Sequence, residues 1–171
     1  MRPLAGARTF SVVSGGQSGV DRAALDAALS LEIPVGGWCP KGRWAEDGPL
    51  SGRYPLRETG SPDPDVRTAA NVCDSDATLV VIAAASDAGT DRTAEAAQRA
   101  AKPCLIVDLA NERRALAEAV AWLAVVRPRV LNVVGPRESS APGIYARTAP
   151  FLLDVLRHVV IDDDLHQCSG L

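Results

Sequence analysis

The stretch SVVSGGQSGVDRAALDAALSL, Ser11 to Leu31, decides the fold. A short β-branched apolar run leads into a loop with glycines at 15, 16 and 19. An alanine-rich segment with helical periodicity follows at once. This is the pattern of strand, tight loop and helix. It recurs along the chain. Thr9–Val13, Thr78–Ala83, Cys104–Asp108 and Val130–Val134 read as strands buried on both faces, and Val35–Trp38 as a weaker fifth. Helices are expected over Asp21–Leu31, Asp65–Asp74, Arg92–Ala101, Asn111–Val125 (capped by Asn111) and Ile144–His158. Strands alternating with helices imply right-handed βαβ units and a doubly wound, mostly parallel sheet of five or more strands. One α/β domain over residues 1–160 is expected, with Thr9–Val13 central beside Thr78–Ala83. Residues 161–171 read as a frayed tail.

The bounds agree. The 171 residues suffice for one domain with a real core, and 47% of them are apolar. A net charge of −3 argues against a general nucleic-acid footprint, so an anion site must rest on a few placed arginines and backbone amides. The N-terminal MRPLAGARTF has no long apolar core, so no secretory leader is expected. No apolar run reaches the ~18 residues of a membrane span. The four cysteines, at 39, 73, 104 and 168, form no CxxC pair. Free thiols suit a reducing cytoplasm, and neither a disulfide framework nor a zinc site is expected.

In a parallel sheet the strand-to-helix loops share one edge, where ligands bind. Three of these loops are unusual: Ser14–Gly19, Ser86–Asp91 and Gly135–Ser140. Glycines admit close approach of a ligand to the backbone, and the following helix N-terminus supplies amides and partial positive charge. Together they make an anion seat. The first loop is neither a GxGxxG dinucleotide loop nor a P-loop. The segment 36–64 is a long irregular connection holding Pro40, Pro49, Pro55, Pro62 and Pro64. Connections of such length are more often functional than passive. Its Trp38 and Trp44 suit either a wall over a flat polar ligand or a pin to the core.

Several stretches carry a resemblance: GGQSGVDRAALDAAL (15–29), GGWCPKGRWAEDGPL (36–50), YPLRET (54–59), DSDATLVV (74–81), KPCLIVDL (102–109) and LNVVGPRES..PGIY (131–145). As a set they resemble the molybdenum carrier family, whose members bind molybdenum cofactor. The resemblance implies a Rossmann-like fold, a bound molybdopterin with its phosphate and oxo-metal head, and a homo-oligomer that could serve molybdoenzyme acceptors. It also implies a distant similarity to the lysine-decarboxylase-like nucleotide-binding proteins, some of which hydrolyse nucleoside monophosphates. There are departures. Ala88-Gly89-Thr90 stands where the family usually has Gly-Gly-Thr, and Ser18 where it has threonine. The hydrolase relatives carry glutamate three residues after their Gly-Thr. Here Thr93 holds that place and the nearest acid is Glu95.

The expected ligand-binding residues are Gly15, Gly16, Gln17, Ser18, Gly19, Lys41, Asp87, Gly89, Thr90, Arg137, Glu138 and Ser139. Arg137 and Lys41 are candidates for a phosphate, and Asp87 or Gln17 for a pterin edge. The alternative is a nucleotide-binding protein, or an N-glycosidic nucleotide hydrolase. Hydrolysis needs an acid/base, and no histidine falls in the three loops, so Asp21, Asp91, Glu95 or Glu138 would have to serve. No catalytic residue, metal ligand, nucleic-acid partner or membrane partner is expected.

Overall fold

The computed structural model describes residues 10–83 and 88–168, with side chains described as far as residue 161. Five strands form one all-parallel sheet: β1 (Ser11–Val13), β2 (Val35–Gly36), β7 (Ala77–Ile82), β8 (Cys104–Asp108) and β9 (Val130–Val134). Between β2 and β7 the chain adds four two-residue strands: β3 (Trp38–Cys39), β4 (Trp44–Ala45), β5 (Gly48–Pro49) and β6 (Arg57–Glu58). Five α-helices complete the fold: α1 (Val20–Ser30), α2 (Pro64–Asp74), α3 (Ala88–Arg99), α4 (Glu112–Val126) and α5 (Ile144–Cys168). The architecture is the expected Rossmann-like α/β sandwich.

Local chemistry explains the helix ends. The Asp63 carboxylate caps α2 by accepting from the Asp65 amide at 2.9 Å, and Pro64 opens the helix, where its missing N–H is no loss. Asn111 caps α4, accepting from the Arg114 amide at 3.1 Å. The Lys102 ammonium donates to the carbonyls of Val72, Cys73 and Ser75 and so closes the C-terminus of α2. Helix α5 runs past the expected end at His158, and no glycine or proline follows Pro150 until Gly170.

The sheet order is β2-β1-β9-β7-β8. Counted as five strands in chain order, this is 2-1-5-3-4. Starting the count at β9 turns it into 3-2-1-4-5, the order of a doubly wound dinucleotide-binding sheet. The fold is therefore the doubly wound one with its starting strand moved to the end. Helices α1, α4 and α5 pack together on one face, and α2 packs with α3 on the other. That is the division right-handed crossovers require. No described helix is long and apolar enough to cross a membrane.

One expectation is corrected. Strands β1 and β7 are not neighbours, because β9 lies between them and pairs with both. The apolar character of a strand says that it is buried, not which strand lies beside it. Strand β9 also fills the middle of the core: its Leu131 and Val133 belong to one buried cluster with Val12, Leu79, Val81 and Leu152.

The expected fifth strand, Val35–Trp38, is split at Gly37. Val35–Gly36 joins β1, while Trp38–Cys39 pairs with β6. A Cβ at Gly37 would lie 2.4 Å from the Ser14 carbonyl oxygen, so a side chain has no room there. The segment 38–58 then forms a strap outside the sheet. It has its own small core of Cys39, Ala45, Leu50, Tyr54 and Leu56, packed on Leu25 of α1. Burying Leu50 and Leu56 contributes roughly 1.5–3 kcal/mol each.

Candidate functional site

The loops after β1 and β9 meet at the carboxyl edge of the sheet, and the N-terminal turn of α3 follows the loop after β7. Gly19 shows what their approach demands. Its φ is +76°, and a Cβ there would lie 2.4 Å from the Pro136 carbonyl oxygen and 2.9 Å from the Glu138 amide. Only glycine combines that conformation with that contact. The Val20 amide donates to Pro136 O at 3.2 Å and joins the two loops directly.

A narrow cleft of about 100 Å³ opens where these elements converge. Gln17 and Asp21 line it from the first loop and α1, and Gly135 and Arg137 from the third loop. Gly89, Thr90, Arg92 and Thr93 line it from α3, and Asp65 and Arg67 from α2. Three guanidinium groups thus face one small cleft. Arg67 lies deepest. Its side chain is 14% exposed and pairs with Asp21, 4% exposed, at 2.9 Å. The Arg67 Nε is buried without a hydrogen-bond partner. Arg92 Nε donates to Asp65 at 2.6 Å and bridges the N-termini of α2 and α3. Arg137 is half exposed, with its Nε 3.9 Å from the Glu46 carboxylate.

Of the expected residues, Gln17, Gly89, Thr90 and Arg137 line this cleft. Gly89 and Thr90 belong to the first turn of α3, which starts four residues earlier than the periodicity suggested. Gly15 lies under Arg67: a Cβ there would fall 1.4 Å from Arg67 Nη1. Gly16 packs on Leu50 and Leu56 of the strap. Lys41 is exposed on the outer turn of the strap, where its amide donates to Ser61 O, and does not line the cleft. Asp87 lies outside the described residues. The amides of Gln17 and Ser18 are turned to internal partners, Asp21 Oδ2 at 3.3 Å and Gln17 Oε1 at 3.0 Å.

Ser18, Gly19, Glu138 and Ser139 face a second cavity, an open groove of about 810 Å³ on the far side of the same two loops. Arg22, Asp26, Glu46, Asp47, Tyr54 and Tyr145 complete it. Both tyrosine hydroxyls donate to Asp26, at 2.7 and 2.8 Å. Burial, together with the Asp26 hydrogen bond, pushes the Tyr54 hydroxyl up to about 12. Glu138 accepts from the amides of Gly143 and Tyr145, capping the start of α5.

Glu46 lines the groove and binds both loops. It comes from the turn between β4 and β5, and its carboxylate accepts from Ser18 Oγ, from Ser139 N at 3.0 Å and from Ser139 Oγ at 2.5 Å. Its amide donates to Gln17 Oε1 at 2.8 Å. Burial raises the Glu46 carboxyl. The hydrogen bonds from Ser139 and Ser18 and the charge of Arg137 outweigh that, and hold it below the ordinary glutamate value.

The two strap tryptophans divide the two readings. Trp44 is 51% exposed and lines the cleft, as a wall would. Trp38 is pinned: its Nε1 donates to Asp74 at 2.8 Å, and the Arg57 guanidinium stacks 4.1 Å above its ring. Sequence reasoning missed Arg67, Arg92 and Glu46 as site residues. Arg67 and Arg92 sit in helices, outside the loops that drew notice. For Glu46 a signal existed, because it lies in the charged strap segment beside Trp44. Among the described residues no group of three or more histidine, cysteine or acidic side chains could hold a metal ion.

The model of the circularly permutated YpsA SLOG family matches residues 12–156. The chain is also similar to a crystal structure from Syntrophus aciditrophicus SB described as "Putative molybdenum carrier protein". The two share 40% sequence identity with a TM-score of 0.80, covering 89% of this chain and 94% of that one. No curated protein matches the chain.

Proposed function

Because the chain belongs to the circularly permutated YpsA SLOG family, we propose that it is a binding and carrier protein for an anionic small molecule of the molybdenum cofactor class. The observation that carries this reading is the convergence of Arg67, Arg92 and Arg137 on one cleft at the carboxyl edge of the sheet. A guanidinium fork binds phosphate through two parallel hydrogen bonds. The N-terminal turn of α3, with Gly89 and Thr90, adds partial positive charge. Trp44 offers an aromatic face to a flat pterin. In this reading the loop Gly15–Gly19 shapes the seat, and Gln17 and Arg137 contact the ligand.

Three of the four acids that hydrolysis could use, Asp21, Glu95 and Glu138, are engaged in ion pairs or a helix cap. Glu95 is 63% exposed and pairs with Arg99 on the helix surface. Asp21 and Asp65, which line the cleft, are both held by arginines. Glu138 faces the groove and caps α5. A nucleotide-binding role keeps support from the sheet order, which is that of dinucleotide-binding folds once the count starts at β9.

The test is mass spectrometry of protein purified from a cell that makes molybdenum cofactor. A co-purifying pterin is expected, and Arg67→Ala should lose it. A nucleotide in its place would overturn the carrier reading in favour of the alternative. A homo-oligomer would cover the open edge of β8, where Ile106 is 52% exposed, and a monomer mass by light scattering would exclude it.

A further inference from the structure

We propose that the Glu46 carboxylate occupies the seat of a tetrahedral oxyanion group of the ligand, and that the ligand binds by displacing it. The proposal rests on reading the loop edge shared by cleft and groove as the ligand site. Its observations share only Arg137 with the arginine cluster that supports that reading.

The first observation is the donor set. Ser18 Oγ, Ser139 N and Ser139 Oγ all donate to one carboxylate, and Arg137 lies 3.9 Å away. Two hydroxyls, one amide and a guanidinium around a negative charge suit a phosphate-type group as well as a carboxylate. They come from the first and third loops, the two that meet at Gly19. The resident anion comes from a different element, the turn between β4 and β5.

The second observation is size. The cleft holds about 100 Å³, whereas sites for small organic ligands run to roughly 300–1,000 Å³. The groove on the far side of Glu46 holds about 810 Å³. Glu46 borders the groove and hydrogen-bonds to residues of both loops that divide it from the cleft. Ser18 and Ser139 line the groove as Glu46 does, so a swing of this one side chain bares its donors within a space of ligand size.

The third observation is that the strap need not unfold for this. Ala45, Leu50, Tyr54 and Leu56 are buried against α1, and Asp47 is held by both terminal nitrogens of Arg22 at 3.1 Å. Glu46 sits at the tip of the turn between these anchors, so its side chain can leave while the anchors stay. The competition has a clear sign. With Glu46 seated, an incoming oxyanion must break its hydrogen bonds and approach its charge. With Glu46 absent, the same donors are available at once.

The experiment is calorimetric titration with inorganic phosphate, and in a second arm with a nucleoside monophosphate, which carries the same group as an ester. The proteins are the parent, Glu46→Ala, Glu46→Gln and Glu46→Ala/Ser139→Ala, each checked for folding by its melting curve. Glu46→Ala should bind at least about tenfold tighter than the parent, the scale of one hydrogen bond to a charged group. Glu46→Gln should fall between them and serves if the alanine variant does not fold. The added Ser139→Ala should reverse most of the gain. Tightening with phosphate alone identifies a free oxyanion, and tightening in both arms an esterified one; either supports the proposal. Equal or weaker binding by both Glu46 variants overturns it. If the parent still binds and Arg67→Ala abolishes that binding, the cleft reading survives that loss. Failure of every variant to bind either probe overturns both.

Discussion

The cleft and the groove share two loops and have opposite chemistry. The cleft gathers three guanidinium groups, from Arg67, Arg92 and Arg137, with the carboxylates of Asp21 and Asp65 paired to the first two. The groove gathers the carboxylates of Asp26, Glu46, Asp47 and Glu138 around Arg22. Successive residues are divided between them: Gln17 and Arg137 go to the cleft, and Ser18 and Glu138 to the groove. In the proposed reading the phosphate end of a ligand meets the donors of the first and third loops beside Arg137, and its flat part lies against Trp44. The lesson is that a glycine loop of this kind works less by exposing its amides than by letting neighbours come close. The Gln17 and Ser18 amides are already taken, whereas Gly15 makes room for Arg67 and Gly19 for the third loop.

The hardest blow to the contrast is Arg67→Ala. It leaves the Asp21 carboxylate, only 4% exposed, without its guanidinium. Breaking such a pair costs about 3 kcal/mol. Urea unfolding measures this, and a loss under about 1 kcal/mol would mean that the other partners of Asp21 suffice.

Gly16→Val comes next. Gly16 has φ +75°, and a Cβ there would lie 2.6 Å from Leu56 Cδ1. Backbone strain and overpacking together should cost about 2 kcal/mol. This variant therefore measures how the strap is seated rather than how a ligand is held. An unchanged melting temperature would show that the strap can shift away from the loop.

Arg137→Ala and Tyr145→Phe separate the two cavities at little cost to stability. Arg137 is about half exposed, so its loss should weaken binding of a nucleoside monophosphate or pterin phosphate by about tenfold, through the lost charged hydrogen bonds. Tyr145→Phe should leave that affinity within about twofold, because only the groove loses a polar group. If the tyrosine variant is the weaker binder, the phosphate end lies beside Tyr145 and Asp26 rather than at Arg137, and the assignment reverses.

The smallest effect is the pH dependence of the Glu46 contact. The carboxyl of Glu46 is held below its ordinary value in the folded chain. Its stabilisation is therefore complete above the ordinary glutamate range and is lost as pH falls through the lowered value. The stability difference between the parent and Glu46→Gln should be about 1 kcal/mol or less at neutral pH and shrink towards zero in acid. A difference that grows on acidification would contradict the hydrogen bonds assigned to this group.

Much of the scaffold follows from local pattern. Cys104–Asp108 and Val130–Val134 are strands over those residues, and Asn111 caps α4 as its side chain predicts. Apolar β-branched runs and capped periodic segments state their own conformation, because the forces concerned act within a few residues. The polar loops after β1 and β9 at one sheet edge also follow from the alternation of strands and helices. The sheet order does not. That β9 lies between β1 and β7 depends on pairing between segments more than a hundred residues apart. Several strands of similar apolar character could have filled that place. The site divides in the same way. Gln17 and Arg137 could be named from their loops, but Arg67 reaches Asp21 across 46 residues and Glu46 reaches Ser139 across 93. Nothing near Arg67 or Glu46 in the chain names a partner. An ion pair depends on where two side chains end in space, and only the packing of α2 and the strap against the loops settles that.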